Sequence, residues 1–347
     1  VDMPRTLLLV FLGALAAESL VHFKHSLLID QYDLESVEQF KVTKICDYGC
    51  HVWASIPPGT EESAKNIHID DDFFFNLAEI ATMYDPYTLG KKPMYIDSAD
   101  TIVIYNFNPN QTTTPLIIYV VSTRASDLNS MEIYDAHNFN RAVSPAKQIT
   151  IMSPAPFTVA SPKDEKSGNS VVMRTTGFDD VEDSNKDGCF QLMALADSKT
   201  WPGFTVEVSS PLLSLAFDYK KYPDAYLRIN TSMGITGQLD LSAPGFVTSP
   251  GYIGCSSGDV FRSSLYSTKV AATITSTGSR HVYLNGDIHT DAAHPVDIID
   301  LKTNYNYPMS GGPVAQSQEL FTTGVAVNWN GAGTSNSFAL RYSSVAV

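Results

Sequence analysis

The sequence predicts an all-β protein built from two or three antiparallel β-sandwich domains. Runs rich in Val, Ile, Tyr, Phe and Thr recur at short intervals, at 102–107, 116–122, 148–152, 204–208, 212–217, 270–275, 281–284 and 324–329. Gly, Pro, Asn and Asp cluster between them, which is the punctuation of short strands joined by turns. Helical periodicity is almost absent. The exception is 70–83, "DDDFFFNLAEIATM", where an acid-capped short helix and a buried strand are equally supported.

At 347 residues, 44% of them hydrophobic and 17% charged, the chain has apolar material for one to three domains. No internal repeat stands out. The polar stretch 161–170 is a loop, because strand-like runs resume on both sides of it. The charged segment 218–226 precedes a change to Gly- and Ser-rich sequence with few charges. These shifts divide the chain into a signal peptide (1–17), an N-terminal β domain (18–145), a central β domain (146–235) and a C-terminal module (236–347). A formal net charge of −14 argues against nucleic acid or anionic lipid as partner, since both need clustered Lys and Arg.

The compartment follows from the N-terminus. Met3-Pro4-Arg5 is a short basic start, Leu7–Ala17 is an apolar run, and Ala14-Leu15-Ala16 fits a small-residue cleavage site. That run is well short of the ~20 residues that cross a bilayer, so the expectation is secretion with no membrane span. Cys46, Cys50, Cys189 and Cys255 form an even set, for which an oxidising compartment predicts two disulfides. Three connectivities are open; the favoured one closes Cys46 with Cys50 in "CDYGC" and leaves Cys189 with Cys255. A zinc half-site at that pair with His51 lacks a second pair of ligands at matching spacing. Asn110 in "NQT" and Asn230 in "NTS" are glycan acceptor sequences, with Asn110 expected at the tip of a long hairpin.

From Gly237 the chain reads "GQLDLSAPGFVTSPGY", followed by "VDIID" at 296–300 and "GVAVNWNGAGTSNSFALRY" at 324–342. These three motifs, in this order, resemble the opening, middle and closing strands of a CUB domain. The cysteine expected before Gly237 is missing, Cys255 follows Tyr252 too soon, and the later cysteine pair is absent. The C-terminal third is therefore most similar to the divergent, nematode-type CUB-like family. The resemblance implies a jelly-roll sandwich in a secreted or surface protein, of a kind linked to the gut, stress or immunity. Independently of it, Gly245 is expected to supply a backbone conformation closed to other residues, and Pro250-Gly251 a type II turn.

Calcium is the one cofactor with candidate ligands, and nothing in the sequence requires it. "DSNKDG" sets Asp183, Asn185 and Asp187 at alternate positions before Gly188, as in a loop that wraps a hard cation, but position twelve is Ala194 rather than Glu. The CUB resemblance implies a second set, in which Asp297 matches the middle-strand ligand and Asn330 stands where a last Asp would be. Its Glu has no clear equivalent, although Asp287 and Asp291 lie nearby.

Enzyme motifs are weak. "MSGGP" (309–313) lacks the Gly-Asp and the upstream His element of a serine protease. "HTDAAH" (289–294) lacks the helical spacing of a zinc protease, and no phosphate loop, dinucleotide fingerprint or nucleophile elbow is present. The expected function is that of a secreted, glycosylated binding protein, not an enzyme, whose ligand is an extracellular protein or a carbohydrate. The alternative is a secreted hydrolase with its site in residues 21–235.

Overall fold

The structure, a computed structural model, describes residues 19–23, 26–35, 37–44, 49–70, 75–96, 101–109, 115–121, 131–143, 148–161, 171–174, 193–195, 204–217, 227–249, 260–262, 269–331 and 336–347. Cys46, Cys189, Cys255, Asn110 and residues 183–188 lie outside them, as do residues 1–17.

Nine strands build the first sandwich: β1 (Ser19–Phe23), β2 (Ser26–Asp30), β3 (Gln39–Lys44), β4 (Cys50–Ser55), β5 (Ile67–Asp70), β6 (Phe75–Asn76), β7 (Met94–Ile96), β8 (Thr101–Asn106) and β9 (Ile117–Val121). One sheet runs β1-β3-β8-β5-β6 and the other β2-β9-β4-β7. Phe40, Ile69 and Ile104 of the first meet Ile29, Val52 and Val120 of the second in one core. Because β8 and β9 belong to different sheets, the Asn110 stretch joins two layers and is not a hairpin tip. Of the two structures weighed for the 70–83 stretch, the short helix is present, while the strand before it has two residues and is not buried. β5 ends at Asp70, β6 follows, and Leu77–Ala81 forms a short helix, α1, whose Asn76 and Glu79 make a capping box.

Nine more strands follow: β10 (Met131–Asp135), β11 (Asn140–Val143), β12 (Gln148–Met152), β13 (Phe157–Ala160), β14 (Val171–Arg174), β15 (Met193–Leu195), β16 (Thr205–Val208), β17 (Leu212–Phe217) and β18 (Leu227–Met233). Their sheets run β10-β12-β17-β14-β15 and β11-β18-β13-β16. Adding nine to every strand number of the first sandwich reproduces this diagram. The one parallel pair within each copy, β1 with β3 and β10 with β12, is reproduced too. The chain therefore contains an internal repeat of topology that its residues do not announce.

The two copies stack. Leu28, Trp53, Tyr119 and Val121, on the outer face of the β2-β9-β4-β7 sheet, pack against Ile133, Met152 and Leu212 on the β10-β12-β17 sheet. That sheet is covered on both sides, which is why every residue of β4 and β9 is buried and β9 reads as an unbroken apolar run instead of alternating.

The C-terminal module consists of β19 (Gln238–Asp240), β20 (Gly245–Thr248), β21 (Val260–Arg262), β22 (Lys269–Thr290), β23 (Val296–Asp300), β24 (Tyr305–Met309), β25 (Gly311–Asn330) and β26 (Ser337–Ala346). Among the described residues, β20 continues the second sandwich's sheet in the order β16-β20-β26-β22-β25-β23-β24. β21 leaves the module and pairs in parallel with β2. β22 and β25 are long because β22 changes partners midway. Thr275 pairs with Gly324 and Arg280 with Thr322, so Ser276, Thr277, Gly278 and Ser279 form a wide bulge opposite Thr323. Before it the other neighbour of β22 is β19, and after it β26. Val282, Leu284, Val327, Trp329 and Leu340 fill the module's own core, while Phe246 and Ala339, on the opposite side of the same sheet, belong to the core of the second sandwich.

Gly245 is not in a left-handed conformation, contrary to the reading of its backbone from sequence. Its reason is space: a Cβ there would sit 2.4 Å from the Tyr342 hydroxyl.

Candidate ligand-binding face

Alternation in β22 sends Val282, Leu284 and Ile288 into the core and His281, Tyr283 and Asn285 outward. The pairing register then fixes their neighbours. Val345, His281 and Phe321 form one row across β26, β22 and β25; Ser343, Tyr283 and Glu319 form the next; Arg341, Asn285 and Ser317 form the third. Residue 339 on this face of β26 is covered by the second sandwich, and the face opens to solvent beyond Arg341. Tyr283 is 39%, Phe321 45% and Val345 58% exposed.

The 300–304 turn adds a cation to the first row. Asp300 is 4% exposed and accepts hydrogen bonds from the hydroxyls of Thr322 and Thr303 and from the Lys302 amide. Burial alone would raise its pKa, but these donors outweigh it and hold the carboxyl below its ordinary value. Asn304 takes the left-handed conformation that closes the turn, one that Asn tolerates. The result places the Lys302 ammonium 4.5 Å from the centre of the Phe321 ring, a cation–π contact. His281 packs on the same ring at 5.3 Å and lies 3.8 Å from the Glu319 carboxylate. Arg341 is half-buried, and that burial lowers its pKa from the ordinary value. The face is thus a bulge-free, three-stranded surface carrying exposed rings, small polar groups, two permanent cations and the carboxylates of Glu319 and the largely covered Asp287.

Other candidates are placed as follows. Asp297 lies opposite Asn328, with Asn330 two residues further along the same face of β25, and its Oδ1 accepts from Asn306 Nδ2 at 2.8 Å. Asp287 lies 3.1 Å from His289, and Asp291 accepts from Asn336 and meets His294 at 2.9 Å. Among the described residues, no three His, Cys, Asp or Glu side chains converge as metal ligands would. The two histidines of "HTDAAH" thus pair with separate aspartates. Ser310 sits in the turn between β24 and β25, where its carbonyl accepts from Gln316. Cys50 is fully buried and disulfide-bonded, with its partner outside the described residues. Asn230 is exposed on the outer face of β18, as a glycan acceptor must be.

One cluster was invisible in the sequence. Asp135, at the end of β10, accepts from Ser55 Oγ on one carboxylate oxygen and from Tyr84 (2.5 Å) and Lys91 (2.7 Å) on the other. Lys91 Nζ also donates to the Ala81 carbonyl at 2.8 Å and lies over the Tyr84 ring. Desolvation lowers the pKa of Lys91 despite the attraction of Asp135, while burial and that carboxylate push Tyr84 up. Lys91 and Asp135 side chains are 0% and 1% exposed, so the group is sealed from any substrate and binds the first sandwich to the second.

These features define an all-β, multi-sandwich protein with an open aromatic and cationic sheet face. No family model and no curated protein matches the chain. Among solved structures, the CUB1-EGF-CUB2 domain of human MASP-1/3 matches 59% of this chain and 94% of its own length, at 13% identity and a TM-score of 0.22. At that level the likeness has no bearing on ligand or site. No helix among the described residues is long and apolar enough to cross a membrane.

Proposed function

We propose that this chain is a secreted, disulfide-bonded glycoprotein that acts as an extracellular binding protein, with a divergent CUB-like module of the nematode type as its ligand-bearing third. The observation that carries the reading is the exposed row of Val345, His281 and Phe321 beside Tyr283 on an open sheet face. Exposed rings of this kind mark interaction surfaces, because water gains by their burial and no described residue covers them. The ligand is an extracellular protein or a carbohydrate, and neither calcium nor another cofactor is required. Cys46 with Cys50, and Cys189 with Cys255, remain the proposed pairs. The hydrolase alternative gains no support from the Lys91–Asp135 pair, which is closed to solvent.

The test is affinity capture from the native extracellular fluid, run beside a glycan array, with wild type and a Tyr283→Ala/Phe321→Ala variant. Ligand retained by wild type and lost by the variant supports the reading; identical retention by both overturns the assignment to this face. Intact-mass analysis of the secreted chain shows in the same preparation whether the leader is cleaved and Asn110 and Asn230 carry glycans.

A further inference from the structure

We propose that the outer face of β22, β25 and β26 binds an anionic polysaccharide, one bearing carboxylate or sulfate groups. This rests on reading that face as the binding surface.

The first argument is shape. From Arg280 to Ile288 the three strands stay in register without a bulge. Tyr283 and Phe321 are diagonal neighbours on adjacent strands, a relationship that separates side chains by about 7–8 Å. Two exposed rings at that spacing on a bulge-free sheet suit successive sugars of an extended chain, whose C–H faces stack on aromatic surface. Asn285, Ser317 and Ser343 stand beside them as hydrogen-bonding groups for hydroxyls.

Charge decides the class of sugar. The chain carries a formal −14, yet this face holds Arg341 at one end and Lys302 with His281 at the other, against Glu319, already near His281, and Asp287, paired with His289 and only 13% exposed. A polyanion is repelled by most of this protein and accepted here, with its charged groups directed to the two ends. A neutral sugar would need the rings and amides but not the cations. A protein partner fits less well, because interface cores are depleted in charge and this face has charges in all three rows. Nucleic acid would need many more cations than the two permanent ones here.

Three probes test this by titration calorimetry at low and high salt: a heparin dodecasaccharide (sulfate), an oligogalacturonate (carboxylate alone) and cellohexaose (neutral). Binding is expected for one or both anionic probes, weakening with salt, and at least about tenfold tighter than for the neutral one, the ratio that ~1.4 kcal/mol produces. Tyr283→Ala and Phe321→Ala should each cost roughly tenfold, and Arg341→Gln should flatten the salt dependence. The two ring residues are surface-exposed, so unchanged melting curves show that the variants fold. Equal binding of cellohexaose, no binding of either anionic probe, or undiminished binding by the double ring variant overturns the inference. If no saccharide binds while a captured extracellular protein is lost with Tyr283 and Phe321, the polysaccharide inference fails and the binding reading stands; if nothing depends on the two rings, both fail.

Discussion

Lys91 Nζ lies 2.7 Å from Asp135 Oδ2, with both side chains sealed from solvent at the contact between the two nine-strand sandwiches. Removing one partner leaves a buried charge without its counter-charge, which costs about 3–5 kcal/mol. Lys91→Met or Asp135→Leu alone should destabilise the protein by that amount. The double variant should recover part of the loss, because an apolar pair of similar volume fits the same space. Urea melts of the four proteins give the coupling energy, and strict additivity would show that the pair does not interact.

Glu207 is a second buried carboxylate with a different task. Its Oε1 accepts from the Thr236 amide, the Thr236 hydroxyl and the Gly237 amide, pinning the connection into the C-terminal module. Its Oε2 has no partner among the described residues. Glu207→Ala should therefore cost about 2–4 kcal/mol for three orphaned donors. Glu207→Gln keeps the accepting oxygen and removes a buried charge, so its melting temperature should stay close to wild type. A Gln variant as unstable as the Ala variant would show that the charge itself is needed.

Gly245→Ala tests the close approach of β20 and β26. The added methyl meets the ring of Tyr342, which is 1% exposed and cannot swing away. Overpacking of this kind costs about 1–3 kcal/mol. Tyr342→Leu should rescue part of that loss in the double variant, whereas a loss caused by backbone conformation would not respond.

Asp291 and His289 set opposite pH dependences. Hydrogen bonds from Asn336 and then His294 hold Asp291 at about 2, below an ordinary value of 3.8. A depressed folded pKa contributes stability that is complete above the ordinary value and lost as pH falls from 3.8 toward 2. His289 behaves oppositely: its bond to Asp287 raises its pKa above 6.5, so its contribution is complete below 6.5 and lost as pH rises through the folded value. Carboxyl and imidazole NMR titrations should show Asn336→Ala moving Asp291 up and Asp287→Asn moving His289 down.

Much of the strand content was legible because β12 and β17 coincide with their apolar runs, bounded by turn residues on both sides. Alternation along His281-Val282-Tyr283-Leu284 also announced a half-exposed strand. Which strands lie beside it was not legible, since pairing of β22 with β26 joins residues such as Leu284 and Tyr342 that are far apart in the sequence. The duplicated topology was hidden for the same reason: the two copies share wiring without shared residues. α1 was open to discovery, because Asn76-x-x-Glu79 is a capping box; attention to the acidic residues at 70–72 placed the cap too early. The Lys91–Asp135 pair had no local signal at all.

The stacking of the two copies is head-to-tail, the second sheet of one on the first sheet of the next. Contacts of that type do not close on themselves and can in principle add units without end, as filaments do. The described residues hold two copies. Where the second copy would offer the equivalent of Trp53 and Tyr119 to a third, its outer face presents Arg228, Asn230 and Ser232 to solvent. A glycan on Asn230 would sit on that face as a bulky terminator, so loss of the sequon's asparagine bears on solubility and open-ended polymerisation as well as on secretion.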